Sequence, residues 1–345
     1  MLRLRFQICK PLFLIFSAQF ISAFIGGNLA AEATETWEQV TTINNWPARF
    51  GHTALVFDNK IWILGGHNGS SRLNDIWYSS DGIEWVQATA QAPWAPRSGH
   101  GSVVFDGRMW VIGGSATEHG SDVASSFDGV TWNLAGFFPI VLGDTCVVYN
   151  DRMWSIGGSV LITAMGFKNS LLDISSDIRY STDGIHWTYG SSHNLWSPRS
   201  NHTSLIFKDK MWLISGYNNQ QILSDVWSSS DGEQWIQMKA EGGPMLRGAA
   251  AAVFENRMWV VGGDRVSGVR TNEVWSSSDG INWESHTYPS IWSPRIGHAA
   301  LVFHDALYIL GGSGPNQDGE TQYFTDIWIL RQRTGIESSK WKIYH

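Results

Sequence analysis

Cysteine, proline and charged side chains are scarce in this sequence, and each shortage narrows what the protein can be. Its 345 residues include 2 cysteines and 10 prolines, and only 16% are charged. Cys9 lies in an N-terminal leader-like segment, so Cys146 would stand alone and no internal disulfide is expected. Spaced Cys/His clusters, phosphate-binding glycine loops and nucleophile elbows are also missing. We therefore predict no metal ion and no cofactor.

Long apolar runs are absent except at the N-terminus. Arg3, Arg5 and Lys10 accompany a mostly apolar stretch over 12–25, and 31–33 reads Ala-Glu-Ala, which is typical of a signal-peptidase site. A retained membrane anchor is the alternative, but the run is shorter than the ~20 residues that a span requires. We predict a signal peptide at 1–33, a secreted or periplasmic protein, and no stable membrane insertion once the signal is removed.

The sequence contains fewer basic than acidic residues, 24 against 31. Removing residues 1–33 takes away three bases and one acid, which changes the formal net charge from −7 to −9. A surplus of negative charge opposes nonspecific binding to nucleic acid and to anionic lipid. We therefore expect no nucleic-acid partner.

Tryptophan and glycine, in contrast, are abundant and occur in a repeated order. The 20 tryptophans and 36 glycines fall largely within one unit: Trp-x-x-Arg-x-Gly-His, an apolar stretch, Trp-x-x-Gly-Gly, then Asp-x-Trp-x-Ser-Ser-Asp-Gly-x-x-Trp. The Gly-Gly pair stands at 65/66, 113/114, 157/158, 262/263 and 311/312, and Ser215-Gly216 takes its place in the fourth copy. Six copies at a period of roughly 50 residues indicate a repeat architecture.

Each copy predicts four short strands. In the first copy, Thr53–Phe57, Ile61–Leu64 and Ile76–Ser79 are β-rich, and Trp85 begins a fourth strand after the two-residue turn Asp81-Gly82. No segment between these strands is long enough for a useful helix, which argues against a parallel α/β sheet. The sequence therefore predicts an all-β fold.

The sixth copy lacks a fourth strand, which raises the question of how the ring closes. Trp37 precedes Arg49 by the same spacing that separates Trp85 from Arg97. We predict that the segment around Trp37 supplies the missing strand and so covers an exposed edge. The alternative closure uses the tail, where Ser339–Trp341 would add the strand.

With these motifs in place, the chain resembles the kelch-repeat family. The resemblance rests on six aligned copies of the Gly-Gly pair, the aromatic residue three positions before it and the fourth-strand tryptophan. It implies a six-bladed β-propeller over residues 34–330, preceded by the signal peptide and followed by a C-terminal tail, 331–345. The loops that carry Trp-x-x-Arg and those that follow Gly-Gly would then share one face around the central channel.

Four Trp-x-x-Arg units are the first candidate binding residues. In animal kelch adaptors, arginines at this Arg-x-Gly position bind acidic peptides, so the resemblance implies a channel face where guanidinium groups hold carboxylates and indole rings stack on sugars or peptides. The alternative is a structural role, in which each Trp packs between blades and each Arg donates hydrogen bonds to neighbouring carbonyl groups. The units are Trp46/Arg49, Trp94/Arg97, Trp196/Arg199 and Trp292/Arg295.

Departures from the repeat are the second set of candidates. Copy three has Val141 for the arginine and Asp144 for the histidine, and copy five has Leu246 at the arginine position. Tyr217, Asp264 and Arg265, which follow Gly-Gly or its equivalent, would give the face unlike chemistry on different sides; with Asp144, Asp264 is a candidate catalytic acid. An insertion in copy three, 159–176, is expected to be either a lid over the channel mouth or a loop packed on its own blade.

Two classes of function remain open. The first is a binding module, whose partner is an acidic peptide, a glycan or a protein. The second is an enzyme resembling the kelch-type sialic acid mutarotase, in which Asp144 or Asp264 would act as general acid or base. Copper chemistry of the galactose-oxidase kind, a third option, lacks its tyrosine–histidine–cysteine set. The sequence alone favours the binding module.

Overall fold

A computed structural model describes residues 36–43, 46–116, 122–138, 141–162, 171–190, 196–238, 243–265, 268–289 and 291–331. These residues lie within one compact unit, 34–333. The predicted signal peptide, the tail beyond Arg331 and the centre of the insertion, 163–170, lie outside the described residues. No helix long and apolar enough to cross a membrane occurs in the described part of the chain.

The described chain folds as six four-stranded antiparallel sheets, which are the blades of a β-propeller, and this confirms the predicted all-β fold. Blade one contains β2 (Thr53–Phe57), β3 (Lys60–His67), β4 (Arg72–Ser79) and β5 (Val86–Thr89), and blade two contains β7 (Gly101–Phe105), β8 (Arg108–Ile112), β10 (Asp122–Ser126) and β11 (Asn133–Phe137). Two short strands, β6 (Arg97–Ser98) and β9 (Ser115–Ala116), extend the sheet of blade one.

The remaining blades repeat this order. Blade three contains β13 (Thr145–Tyr149), β14 (Arg152–Ile156), β17 (Ile178–Ser181) and β18 (Thr188–Tyr189), beside a separate sheet of β12 (Val141–Leu142), β15 (Ser159–Ile162) and β16 (Leu171–Ile174). Blade four contains β19 (Thr203–Phe207), β20 (Lys210–Ile214), β21 (Val226–Ser229) and β22 (Ile236–Met238). Blade five contains β23 (Ala250–Phe254), β24 (Arg257–Val261), β25 (Val274–Ser277) and β26 (Glu284–His286).

Blade six is built from both ends of the described chain. Its strands are β27 (Ala299–Phe303), β28 (Ala306–Pro315), β29 (Thr321–Arg331) and, from the N-terminal side, β1 (Thr36–Val40). β1 pairs antiparallel with β29, with Trp37 opposite Leu330. Trp37 is 4% exposed and packs edge-on against Trp292, with 4.4 Å between ring centroids. The ends of the propeller are thus joined by strand pairing and by aromatic packing.

The Asp-Gly turns explain how each blade packs on the one before it. Their glycines adopt φ from +74° to +83°, which a side chain disfavours. A side-chain carbon at Gly129 would also overlap the ring of Trp62, the second-strand tryptophan of the preceding blade, and Gly184 lies in the same way against Trp110. The second-strand tryptophans therefore form seams between blades, and only glycine fits above them.

A closed ring of six backbone hydrogen bonds surrounds the propeller axis. Each blade donates one N–H, from the residue two positions after the Arg position, to the carbonyl of the same residue in the preceding blade, at N···O distances of 2.7–3.4 Å. The φ angles of these six residues lie between +52° and +64°, which glycine adopts freely and asparagine tolerates. The ring consists of Gly51, Gly99, Gly143, Asn201, Gly248 and Gly297. Backbone atoms therefore constrict the channel at this end.

Candidate functional site

The four repeat arginines are buried inside their own blades. Each is 0% exposed and donates from Nη1 to the carbonyl of the first residue of the Gly-Gly pair, as Arg49 does to Gly65 at 2.8 Å. Each also bonds to the aspartate that begins the third-strand Asp-x-Trp motif or its equivalent: Arg49 contacts both carboxylate oxygens of Asp75 at 2.7 and 2.8 Å. The same arrangement, here called the arginine clamp, joins Arg97 to Asp122, Arg199 to Asp225 and Arg295 to Asp326.

The clamp is electrostatically complete. Nε donates to a carbonyl two residues back, which is Pro47 for Arg49. Burial alone would raise the pKa of Asp225, but its hydrogen bonds to Arg199 lower that pKa below the usual value. A third-strand indole also donates to the same carboxylate, as Trp227 does to Asp225 at 2.7 Å. Buried ion pairs persist only when every donor and acceptor is matched in this way.

The four loop tryptophans are buried wedges. Trp46, Trp94, Trp196 and Trp292 are at most 2% exposed. Each packs edge-on against the fourth-strand tryptophan of the blade it leads into: Trp85, Trp132, Trp235 and Trp37, respectively. Copy three keeps this wedge with Phe138, which is 0% exposed and lies 4.8 Å from Trp187.

These contacts correct the expectation that the Trp-x-x-Arg units face a ligand. None of the eight side chains reaches the channel face, because the indole rings fill the gaps between strands and the guanidinium groups neutralise buried carboxylates. The nearly constant sequence separation between the Arg and the Asp in copies one, two and four would have revealed the pairing. We therefore place these residues in the scaffold.

Blades three and five replace the clamp with other guanidinium groups. In blade three, Arg179 from β17 contacts Asp177 at 3.0 Å. In blade five the acid is Glu273, which pairs with Arg265 from the loop after Gly-Gly. The Arg265 side chain is 50% exposed, whereas the clamp arginines have no exposed side-chain area. Blade five has thus moved its cation from the core to the surface.

The buried histidines and Asp144 occupy equivalent positions at the blade seams. Burial, followed by the charge of the adjacent arginine, lowers the pKa of His100, His202 and His298 to about 3 and that of His52 well below its usual value. In blade three, burial raises the pKa of Asp144 to about 7, although Ser155 donates a hydrogen bond of 2.7 Å to it. All these groups are therefore largely uncharged near neutral pH or a little below.

Six residue pairs surround the ring of backbone hydrogen bonds, and we call them the axial face. In each blade, the residue between the Arg and Gly positions bridges antiparallel to the residue after Gly-Gly. In the clamp blades, side chains alternate along this extended segment, so the residue next to the arginine points away from the buried clamp. The pairs are Phe50/His67, Ser98/Ser115, Leu142/Ser159, Ser200/Tyr217, Arg247/Asp264 and Ile296/Ser313.

The axial face differs sharply from one side to the other. Blades five, six and one supply a cation, an aliphatic side chain and an aromatic ring in succession: Arg247, Ile296 and Phe50. Blades two to four supply mainly serine hydroxyls. The residues after Gly-Gly were predicted to differ between blades, but Phe50 and Ile296 were not among the predicted site residues. These two residues could have been found from the sequence, because the residue between Arg and Gly also varies from one copy of the repeat to the next.

Arg247 is the most distinctive cation of the axial face. Its guanidinium lies over the ring of Tyr217, 4.9 Å from the centroid, and its side chain is 28% exposed. It bonds to Asp264 at 3.3 Å, a longer contact than the 2.7 Å between Arg49 and Asp75 in the clamp of blade one. Asp264 itself is 3% exposed. The structure thus brings together Tyr217, Arg247 and Asp264, with Arg265 adjacent in sequence.

The two candidate catalytic acids lie in different parts of the described propeller. Asp144 is buried in blade three, at the position that histidine occupies in the clamp blades, while Asp264 is engaged by Arg247 in blade five. No group of three or more His, Cys, Asp or Glu side chains suited to a metal ion occurs among the described residues.

Comparison with known proteins agrees with this architecture. Residues 28–134 and 143–344 match the model of the KLHDC2/KLHL20/DRC7 Kelch-repeats domain. The chain belongs to the kelch-repeat family. Kelch propellers generally act as protein-interaction modules, and the axial face is where this kelch protein differs most from its own repeat.

Curated relatives match over part of their length only. The chain is 24% identical over 165 residues to leucine-zipper-like transcriptional regulator 1 of Homo sapiens, a match that covers 44% of this chain and 20% of that protein. It is 28% identical over 162 residues to an F-box/kelch-repeat protein of Arabidopsis thaliana, covering 42% of this chain and 33% of that protein. It is also 28% identical over 109 residues to Ras guanine nucleotide exchange factor F of Dictyostelium discoideum, a match that covers 29% of this chain and 9% of that protein.

Proposed function

We propose that this kelch protein is a binding module that holds an acidic segment of a protein partner on its axial face. The proposal is carried by Arg247, which is partly exposed and supported from below by the Tyr217 ring. A guanidinium group binds a carboxylate through two parallel hydrogen bonds, and its aromatic support restricts its motion before binding. From the leader-like residues 1–33 alone, we propose that binding takes place outside the cytoplasm.

An acidic protein segment fits this face better than a glycan. The loop tryptophans that were expected to stack on a sugar are buried wedges. The backbones of Arg247 and Asp264 pair, and the Asp264 carboxylate accepts a hydrogen bond from the Arg247 guanidinium, which favours one orientation of that group and a directed ion pair. The charge contrast is local, since the chain as a whole is acidic.

The test is a peptide array of acidic heptapeptides and their Glu→Gln, Asp→Asn counterparts, probed with the whole protein at low and moderate salt. Wild-type protein should prefer the acidic series, and Arg247→Gln should weaken that binding at least tenfold, about 1.4 kcal/mol. Arg257→Gln is the matched control: Arg257 is also in blade five, with a 29% exposed side chain, but it pairs with Glu284 outside the axial face. Equal binding by Arg247→Gln and wild type would refute the proposal.

A further inference from the structure

We infer that the partner segment also carries an aromatic side chain near its acidic residue, and that Phe50, His67 and Tyr323 hold that ring. This inference rests on the proposed function and adds a second contact to it. The three residues, called the aromatic cradle, come from blade one and from the third strand of blade six. All three are partly exposed.

Ring geometry in the cradle favours an aromatic guest. Phe50 and Tyr323 are stacked, with centroids 5.6 Å apart and planes inclined by 29°, and the His67 ring lies 5.5 Å from Phe50. Further stacked or edge-on contacts at such distances are open to an aromatic side chain of the partner. Tyr323 closes against the blade-one hairpin because Gly69 has no side chain; a Cβ there would overlap the tyrosine ring.

His67 adds a directed hydrogen bond to this apolar surface. The Gly69 N–H donates to His67 Nδ1 at 2.9 Å, which requires a lone pair on that nitrogen. The proton of the neutral imidazole is therefore on Nε2, which makes Nε2 a donor. An aromatic residue in a peptide brings a backbone carbonyl next to its ring, and that carbonyl is the natural acceptor.

The cradle and Arg247 belong to one continuous arc. The backbone ring links blade five to blade six through Gly297 N–H and the Gly248 carbonyl, and blade six to blade one through Gly51 N–H and the Gly297 carbonyl. Ile296 lies beside Gly248, and Phe50 lies beside Gly297. Along this arc the surface offers a cation, an aliphatic side chain and an aromatic cluster, which matches an acidic, an apolar and an aromatic residue in that order.

Hairpins at one end of this arc shape it further. β3 and β4 continue past Gly-Gly to pair His67 with Arg72, and β28 and β29 continue to pair Pro315 with Thr321. The corresponding segments of blades four and five make only isolated bridges beyond Gly-Gly among the described residues. The extended hairpins lie on the side of the cradle, so they bound that end of the arc.

Selection from a displayed random-heptapeptide library tests the inference. Wild-type protein should enrich peptides that contain both Asp or Glu and Phe, Tyr or Trp. Tyr323→Leu combined with His67→Ala should lose the aromatic preference and keep the acidic one. Arg247→Lys, which keeps a cation near Asp264, should weaken the acidic preference and keep the aromatic one. Arg257→Gln, at a residue that pairs with Glu284 outside the axial face, is the control and should select as wild type does.

The outcomes separate this inference from the proposed function. Acidic peptides without aromatic enrichment would overturn the aromatic cradle and leave the proposed function standing. Aromatic enrichment that survives the cradle variant would place the ring elsewhere and likewise overturn the inference. Selection without acidic residues would contradict both. Each variant's thermal unfolding midpoint is measured, and a change in selection counts against the cradle or for it only when that midpoint stays close to that of wild type.

Discussion

Blades one, two, four and six keep the arginine clamp, and blades three and five have lost it. In the first group the cation is buried against an aspartate, and its donors are used within the blade. In blade five, Leu246 takes the buried position, and Arg247 and Arg265 stand on or near the surface instead. The difference teaches that the regular part of the repeat builds the propeller, while blade five, which departs from the repeat, carries arginines with partly exposed side chains.

The buried histidines divide the blades into the same two groups as the arginine clamp. The clamp blades carry a buried histidine at the seam, whereas blade three carries Asp144 and blade five carries Ala249. The histidines are bases with lowered pKa values, and Asp144 is an acid with a raised pKa. Their contributions to stability therefore change with pH in opposite directions, which gives the comparison a direct measurement.

Acid unfolding should show the largest effect. In the folded state His100, His202 and His298 have pKa values of about 3, against 6.5 when unfolded, so below pH 6.5 the unfolded chain binds more protons. Each histidine should therefore remove about 2 kcal/mol between pH 6.5 and pH 5, and the three together about 6 kcal/mol. Urea unfolding at pH values between 6.5 and 5 measures this loss of stability. His298→Gln should make the dependence shallower by one proton; an unchanged slope would contradict the assignment.

Removing one clamp should have the next largest effect. Arg199→Leu copies the residue that blade five carries, but it leaves Asp225 without its cation, and an uncompensated buried charge costs about 3–5 kcal/mol. The double variant Arg199→Leu/Asp225→Asn should recover part of that loss, because the amide still accepts from Trp227. Urea unfolding at pH 7 gives both values. A double variant no more stable than the single one would show that the ion pair is not the source.

The six blades, the Gly-Gly pairs and the Asp-Gly turns were predictable because each is repeated and each has a local cause in backbone conformation. Which side chains pair with each other across a blade was harder to predict from the sequence. Arg49 and Asp75 are far apart in the sequence, and their pairing could be predicted only by comparing the Arg–Asp separation between copies, because no local pattern within one copy shows the strand register. The axial face was only partly predicted: Tyr217, Asp264 and Arg265 were identified as departures from the repeat, but Phe50 and Tyr323 meet through contacts between different blades.

Asp144→Asn should stabilise the protein, and more so as pH rises. The folded-state pKa of Asp144 is about 7, so between about pH 4 and pH 7 the folded protein binds an extra proton and stability falls with increasing pH. An amide keeps the acceptor for Ser155 and removes the buried charge, so we expect a gain of up to about 4 kcal/mol at pH 8 and little gain at pH 4. Urea unfolding of both proteins at pH 4 and at pH 8 measures the gain in stability. A gain that is independent of pH would contradict the ionisation argument.

The surface cation of blade five should matter least for stability. Arg265 and Glu273 form an ion pair with half of the arginine side chain exposed, and such pairs contribute about 0–1 kcal/mol. Arg265→Gln should therefore change the free energy of unfolding in urea by less than about 1 kcal/mol, in contrast to Arg199→Leu. Trp275 continues to donate to Glu273, which limits the loss further. A cost close to that of a clamp arginine would mean that blade five has rebuilt the clamp rather than given it up, and the contrast between the two groups of blades would then fail.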